Sequence, residues 1–174
     1  MSQAEFKYVR EYLRQSVEMM KQSPCKGLSD IYYNLQDFVL QEGFDFEPSP
    51  YPEAYPPGVI KECFSNSISL VEHHPDELIY CEGYAAGVIP VLHAWCVTHD
   101  GKVVDPTWNA HSRCSPGTEY LGVPLNREFV METLAAKGTH GILDNWMMHW
   151  PILGHPRKEW LHEIFLERVC QQSS

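Results

Sequence analysis

Residues 93–108 read HAWCVTHDGKVVDPTW, and this segment decides the fold. Two apolar runs that are typical of strands, Val91–Val97 and Lys102–Thr107, flank the turn-forming pair Asp100-Gly101. The pattern therefore predicts two antiparallel strands joined by a tight turn. It also places a histidine on the first strand and an aspartate on the second.

The geometry of the turn decides whether His93 and Asp105 can meet. A two-residue turn pairs Asp105 with Cys96 and puts it on the sheet face opposite to His93. A three-residue loop, with Gly101 in the left-handed bulge position, pairs Asp105 with Trp95 instead. His93 is then its diagonal neighbour on the same face, about 7–8 Å away between backbones. A catalytic interpretation therefore requires the three-residue loop.

Upstream of the hairpin, Cys63 opens a short apolar helix predicted over Cys63–Val71. A cysteine at a helix start, a histidine on a strand and an acid on the next strand follow the order of a cysteine nucleophile with its base and orienting acid. Helix amide groups and a nearby imidazolium favour the thiolate. The structural alternatives are an inert thiol, a core histidine and a turn residue before proline. A metal site would lack a fourth ligand near these residues.

The whole chain, residues 1–174, is predicted to be one α+β domain in which an antiparallel sheet packs against helices. Its parts are a helical N-terminal part (1–43), a proline-rich loop (44–60), a catalytic core (61–125) and a helical C-terminal part (126–174). Further elements are predicted from hydrophobic periodicity and capping residues. They are helices over 3–22, Leu28–Gln41 and Pro156–Gln171, a helix capped by Asn126 and closed by Gly138, and a strand over Glu77–Ala85.

Composition excludes several classes of function. The net charge is −10 with no run of Lys and Arg, so nucleic acid is not an expected partner. The longest mainly apolar stretch, Tyr84–Val97, is too short to span a membrane, and the N-terminus lacks the regions of a signal peptide. A cytoplasmic protein is therefore expected. The 6 cysteines are scattered without a C-x-x-C pair, which indicates reduced thiols, and neither a cofactor nor a metal is predicted.

Four short segments resemble the transglutaminase-like branch of the papain-related cysteine enzymes. They are Cys63 at a helix start, Glu82-Gly83-Tyr84, His93-Ala94-Trp95 and Asp105-Pro106-Thr107. The resemblance implies a papain/transglutaminase-like fold with the nucleophile at a helix N-terminus. It also implies a triad of Cys63, His93 and Asp105. One departure is Lys61-Glu62 before the cysteine, where the family commonly has a small Gly residue.

The predicted function is thiol-dependent acyl transfer through a Cys63 thioester, from an amide or ester of a peptide, protein or small molecule. A hydrolase (peptidase, amidase or deamidase) is favoured because water is always present as the acceptor. An acyltransferase or transglutaminase with an amine acceptor stays open, as does a binding module of the same fold without catalysis. In the reaction, His93 takes the thiol proton and returns it to the leaving group, while Asp105 holds the imidazole tautomer.

Aromatic residues near the predicted triad are candidates for substrate binding. They are Tyr84, Trp95 and Trp108, of which the two tryptophans are also expected to pack around the triad. The cluster over residues 146–150 is a candidate wall of a substrate groove, with ordinary core packing as the alternative. The backbone amide of Cys63 is expected to be one oxyanion donor.

Overall fold

The computed structural model of the protein describes residues 8–22, 27–138, 141–145 and 149–172. A five-stranded antiparallel sheet packs against helices, which lie before its first strand, between its first and second strands and after its last strand. This arrangement confirms the predicted α+β class. The first residues of the helix predicted over 3–22, and residues 146–148 of the aromatic cluster, lie outside the described residues.

Strands and helices alternate irregularly along the chain. The strands are β1 (Phe44–Phe46), β2 (Leu78–Ala86), β3 (Pro90–Thr98), β4 (Val103–Val104) and β5 (Glu119–Pro124). The helices are α1 (Tyr8–Lys21), α2 (Leu35–Glu42), α3 (Cys63–His73), α4 (Arg127–Lys137), α5 (Arg157–Trp160) and α6 (Glu163–Gln172). A short 3₁₀ helix over Pro151–Gly154 precedes α5.

The sheet has the order β1-β5-β2-β3-β4, so β2 lies at its centre. Just after β1, Glu47 forms an isolated bridge with Lys102, and its carbonyl accepts from the Val103 amide. The Ser49 hydroxyl donates to the carbonyl of Val103 in the same region. The sheet therefore curls until its two edges meet, which satisfies part of the exposed edge of β4.

The β3–β4 hairpin has the register that the catalytic interpretation requires. Cys96 pairs with Val104 and Val97 with Val103, which is the register of a three-residue loop. Gly101 lies in this loop at φ +90°, a conformation that favours glycine. The loop geometry thus places His93 and Asp105 on the same face of the sheet.

Helix α3 begins at Cys63 and packs against β2 and β3. Its contact with β3 includes a hydrogen bond of 3.4 Å from the buried Cys96 thiol to the Ser67 carbonyl. At the N-terminal end, Glu62 occupies the capping position but makes no side-chain cap hydrogen bond. The first amide groups of α3 therefore lack the side-chain acceptor that usually covers them.

The centre of the core is a close approach of β2 and β5 beneath Trp95. Gly83 pairs with Gly122 across the two strands. A Cβ atom on Gly122 would lie 2.5 Å from the Trp95 ring, so glycine is required there. Trp95 is fully buried and also contacts Tyr120, with ring centroids 5.0 Å apart.

The C-terminal helices differ in part from the prediction. The helix predicted after Asn126 is confirmed as α4, because the Asn126 side chain accepts from two amides of its first turn and Gly138 ends it at φ +71°. The single helix predicted over Pro156–Gln171 is instead divided into α5 and α6. Between them, Leu161 forms a bridge with Leu125, and this sheet-like pairing interrupts the helix.

Two predictions in the N-terminal half also need correction. The helix predicted over Leu28–Gln41 begins only at Leu35, because the Ser29 hydroxyl accepts from the amides of Ile31 and Tyr32 and forms a local turn. The predicted loop over 44–60 contains β1, whose three residues pair with β5. Strand β5 itself was not predicted, since its pairing partners lie far away in the sequence.

Candidate active site

Cys63, His93 and Asp105 come together at the start of α3. Cys63 is half-buried at the first helical position, and its thiol lies close enough to the His93 ring to raise the pKa of the imidazole. The Nε2 atom of His93 lies 2.8 Å from Asp105 Oδ2. Because Nε2 is occupied by Asp105, the ring faces Cys63 with Nδ1. The three side chains thus form one series in the predicted order.

Asp105 accepts four hydrogen bonds with its two carboxylate oxygens. Oδ2 accepts from His93 and, at 2.9 Å, from the Tyr120 hydroxyl. Oδ1 accepts from the amides of Thr107 and Trp108, both at 2.9 Å. Burial alone raises the pKa of this carboxyl, but its hydrogen bonds with His93 and the amides outweigh burial and lower the pKa. Asp105 is therefore an ionised carboxylate held in one orientation.

The charge state of His93 follows from the same contacts. Burial lowers the pKa of its imidazole, whereas its hydrogen bonds with Asp105 and Cys63 raise it, and the balance raises the pKa to about 9. At neutral pH the protonated ring is therefore favoured in the folded protein. An imidazolium beside a thiol stabilises the thiolate, which is the nucleophilic form.

Aromatic rings enclose His93 on its faces. The Trp108 ring stacks on the imidazole with centroids 3.9 Å apart and planes inclined by 16°. Trp95 lies 6.2 Å from the imidazole centroid with planes inclined by 19°. Trp108 therefore covers one face of the imidazole, and His93 is only 2% exposed.

Tyr120 is a site residue that sequence reasoning missed. Its hydroxyl donates to Asp105 and, more weakly at 3.4 Å, to Asn109. It reaches the site from β5, which pairs with β2 rather than with the hairpin. No local pattern in the sequence indicates this contact, because it depends on a long-range strand pairing.

The loop before the nucleophile is tied to the segment that follows Asp105. Asn66 on α3 hydrogen-bonds both the amide and the carbonyl of Val59, and its Nδ2 also donates to Thr107 Oγ1 at 2.8 Å. The Gly58 amide donates to the Pro106 carbonyl at 2.8 Å. These bonds fix the Cys63 end of α3 relative to Asp105, a role for Asn66 that the sequence did not reveal.

Lys61 departs from ordinary backbone geometry in this loop. Its φ angle is +72°, in the left-handed region that favours glycine. Lys61 therefore has the backbone conformation of a glycine two positions before Cys63. The neighbouring Glu62 is exposed, and its carboxylate accepts a hydrogen bond of 3.3 Å from the Ser65 hydroxyl.

The three aromatic residues predicted to bind substrate occupy different environments. Trp95 is fully buried and Tyr84 is 7% exposed, so both are core residues in this structure. Trp108 is half-buried and lines a surface cleft beside the site. A substrate-binding role for any of the three stays a prediction.

The other described cysteines are not members of this series, although Cys114 lines the cleft that Trp108 also lines. In the described part of the chain Cys63, Cys81, Cys96, Cys114 and Cys170 are all free thiols. Burial raises the pKa of Cys81 and Cys96, which are therefore protonated and unreactive at neutral pH. Over the same residues, no group of three or more His, Cys, Asp or Glu side chains is arranged to hold a metal ion.

Comparisons with family models, with curated proteins and with solved structures find no match to this chain. None of the described helices is both long enough and apolar enough to cross a membrane. Inference about function therefore starts from the geometry of the site. A half-buried thiol at an uncapped helix start, close to an imidazolium that a buried carboxylate orients, is suited to nucleophilic attack on a carbonyl.

Proposed function

We propose that the protein is a cysteine-nucleophile enzyme that transfers acyl groups, with water as the favoured acceptor. The observation that carries this proposal is the series Cys63–His93–Asp105, in which the acid is fully buried and Cys63 is half-buried at the start of a helix. The resemblance of the surrounding segments to transglutaminase-like enzymes agrees with it. We extend the proposal to a transglutaminase-like fold on the same grounds.

The first half-reaction forms a thioester on Cys63. The thiolate attacks the carbonyl carbon of an amide or ester, and the electron pair of the carbonyl double bond moves onto oxygen. When that pair returns, the C–N or C–O bond breaks, and His93 gives its proton to the departing amine or alcohol. Asp105 keeps Nε2 protonated, so Nδ1 is the atom that exchanges the proton.

The second half-reaction resolves the thioester. His93 is now neutral and takes a proton from water at Nδ1, and the resulting hydroxide equivalent attacks the thioester carbonyl. The C–S bond breaks, which releases a carboxylic acid and restores the thiolate and imidazolium. An amine in place of water follows the same steps and yields an amide.

Stabilisation of the oxyanion comes from the start of α3. The Cys63 amide lies in the first turn, where helix amides have no intrahelical acceptor. Glu62 forms no side-chain cap and leaves these donors uncovered. The helix dipole adds a positive partial charge at the same point.

The test is selective labelling of the native protein with a limiting amount of iodoacetamide at pH 7, followed by peptide mapping. We expect Cys63 to react ahead of Cys114, which is also half-buried, and ahead of the exposed Cys170. His93→Ala should abolish this preference because it removes the imidazolium. Equal reactivity of all accessible thiols would reject a catalytic thiol and favour a binding module.

A second experiment, with p-nitrophenyl acetate as the acyl donor, determines whether the protein transfers the acyl group to water or to an amine. Intact mass should show an added acetyl group on Cys63, absent in Cys63→Ser. Turnover in the presence of glycine methyl ester then gives either acetate or the N-acetylated amine. Acetate as the sole product supports a hydrolase, and the N-acetylated amine as the main product supports an acyltransferase.

A further inference from the structure

A cleft of about 380 Å³ lies beside the candidate active site, and the described residues that line it include neither Cys63 nor His93. Two of its lining residues connect it to the site: Lys61 lies two positions before Cys63, and Trp108 stacks on the His93 ring. Its volume falls in the range of about 300–1,000 Å³ that is usual for small-molecule sites. The cleft is thus placed to receive the part of a substrate next to the reacting carbonyl.

Exposed aliphatic side chains form much of the cleft, and Thr107, Cys114 and Ser115 also line it. Val88 is 77% exposed, Ile89 58% and Ile60 43%, and Val91 and Trp108 line the same cleft. Single exposed apolar residues are ordinary on protein surfaces, but here several converge on one concave region beside reactive groups. Such a grouping marks a site that an apolar partner covers.

The Val88–Ile89 wall is the turn between β2 and β3, and it is held in place at its base. The amide and the hydroxyl of Thr118 both donate to the Ala86 carbonyl, at 2.6 and 2.9 Å. The Tyr8 hydroxyl donates to the Val88 carbonyl at 3.4 Å. A preformed wall lowers the entropy cost of binding an apolar group.

The charge of the lining limits what the cleft accepts. Among the described residues that line it, Lys61 alone is charged, and no carboxylate is present. A basic group would meet the Lys61 ammonium without a compensating acid, although the net charge of the whole chain is −10. The cleft therefore disfavours a lysine or arginine side chain, and its aliphatic lining is suited to an apolar group.

We propose that this cleft binds the acyl side of the substrate. It selects an apolar acyl group, either aliphatic (branched or straight) or aromatic. The inference rests on the proposed acyl-transfer function. The acyl group stays bonded to Cys63 through both half-reactions, whereas the leaving group departs after the first. A fixed cleft formed partly by Ile60 and Lys61, just before the nucleophile, serves the group that stays.

The experiment compares p-nitrophenyl acetate, butanoate and hexanoate, which share one leaving group. The rate of Cys63 acylation is the p-nitrophenolate release that Cys63→Ser lacks, and peptide mapping distinguishes Cys63 from Cys114, which also lines the cleft. Each rate is divided by the rate of the same ester with free glutathione. Each buried methylene contributes about fourfold to binding. We therefore expect the normalised rate to rise by about tenfold or more from the acetyl to the hexanoyl ester.

A double variant tests whether the preference for longer acyl chains arises from the Val88–Ile89 wall. Val88→Ser/Ile89→Ser should reduce the hexanoyl-to-acetyl ratio by about tenfold. The matched control is Ile31→Ser, which changes an isoleucine of similar exposure that does not line the cleft and should leave the ratio unchanged. Both variants alter exposed side chains, and thermal denaturation verifies that each is folded.

The possible failures are distinguishable. Acylation of Cys63 at normalised rates that do not depend on chain length would overturn the acyl-cleft inference and leave the proposed function standing. A length preference that survives in Val88→Ser/Ile89→Ser would overturn it as well. Absence of acylation at Cys63 with every ester would reject the proposed function, and the inference with it.

Discussion

The Nε2 atom of His93 lies 2.8 Å from Asp105 Oδ2, and the side chains of both residues are buried. The same oxygen accepts from Tyr120, and the second carboxylate oxygen accepts from two backbone amides. Asp105 therefore has its orientation fixed from four directions. Changes to this carboxylate or to its partners should affect both the stability of the fold and the reactivity of Cys63.

Asp105→Asn keeps the shape of the side chain but removes the negative charge. The amides of Thr107 and Trp108 keep the remaining oxygen on their side, so the amide nitrogen faces His93 and cannot accept from it. The imidazole then loses its preferred tautomer, and Nδ1 no longer takes up the thiol proton. We expect turnover of p-nitrophenyl acetate to fall by about 10²- to 10⁴-fold. Steady-state kinetics measures the fall, and circular dichroism verifies the fold. A rate within about twofold of the native protein would show that Asp105 is only a structural residue.

Tyr120→Phe removes one hydrogen bond to the Asp105 carboxylate. Because that bond favours the ionised carboxyl, we expect the pKa of Asp105 to rise, and the unfolding free energy to fall by about 1–3 kcal/mol. Iodoacetamide labelling of Cys63 should also slow. Urea denaturation and labelling rates measure the two effects.

Tyr32→Phe is the matched control for Tyr120→Phe. It likewise removes a hydroxyl that donates to a carboxylate, in this case Glu42 at 2.7 Å, but it lies away from Cys63. It should lower stability without changing the labelling rate. Equal labelling rates in both variants would argue against a positioning role for Tyr120.

The parts of the site that the sequence reveals are those determined by local geometry. The register of the hairpin depends on the loop that contains Gly101, and Cys63 is recognisable because it begins a helix. Tyr120 and Asn66 reach the site through contacts between segments distant in the sequence. Contacts of this kind depend on how the sheet curls, and the hydrophobic periodicity of the sequence does not predict that curl.

The boundaries of the helices and strands likewise divide into those set by local sequence and those set by contacts between distant segments. Asn126 and Gly138 bound α4 through capping bonds a few residues away, so the sequence alone predicts that helix. Strand β1 has only three residues and exists because β5 pairs with it. Without knowledge of β5, a short segment rich in proline at its end is indistinguishable from a loop.

The charge on His93 predicts a dependence of stability on pH. The pKa of its imidazole is raised from an ordinary 6.5 to about 9 in the folded protein, so folding favours the protonated ring. The stabilisation of the folded protein by the protonated His93 ring is complete below about pH 6.5. It is lost as the pH rises through about 9. We expect the stability advantage of the native protein over His93→Gln to shrink by about 1–3 kcal/mol between pH 6 and pH 9.5.

Urea denaturation of both proteins at the two pH values gives this difference directly. His155→Gln, which changes an exposed histidine, serves as a control for general effects of pH on the fold. If the advantage of the native protein over His93→Gln stayed constant or grew with pH, His93 would be neutral in the folded protein. A charged His93 in the folded protein would then be rejected.

Lys61 provides a test of the backbone before the nucleophile. At φ +72° a lysine is strained, whereas glycine adopts this conformation without a steric penalty. We therefore expect Lys61→Gly to raise the unfolding free energy by about 1 kcal/mol. Glu62→Gly is the matched control, since Glu62 has φ −113°, and glycine there should lower stability by about 0.5–1 kcal/mol. If the two adjacent glycine substitutions change the unfolding free energy in opposite directions, Lys61 is identified as the strained left-handed residue. A general effect of added flexibility would instead destabilise the protein at both positions. If both substitutions lower stability equally, the backbone at Lys61 is not strained.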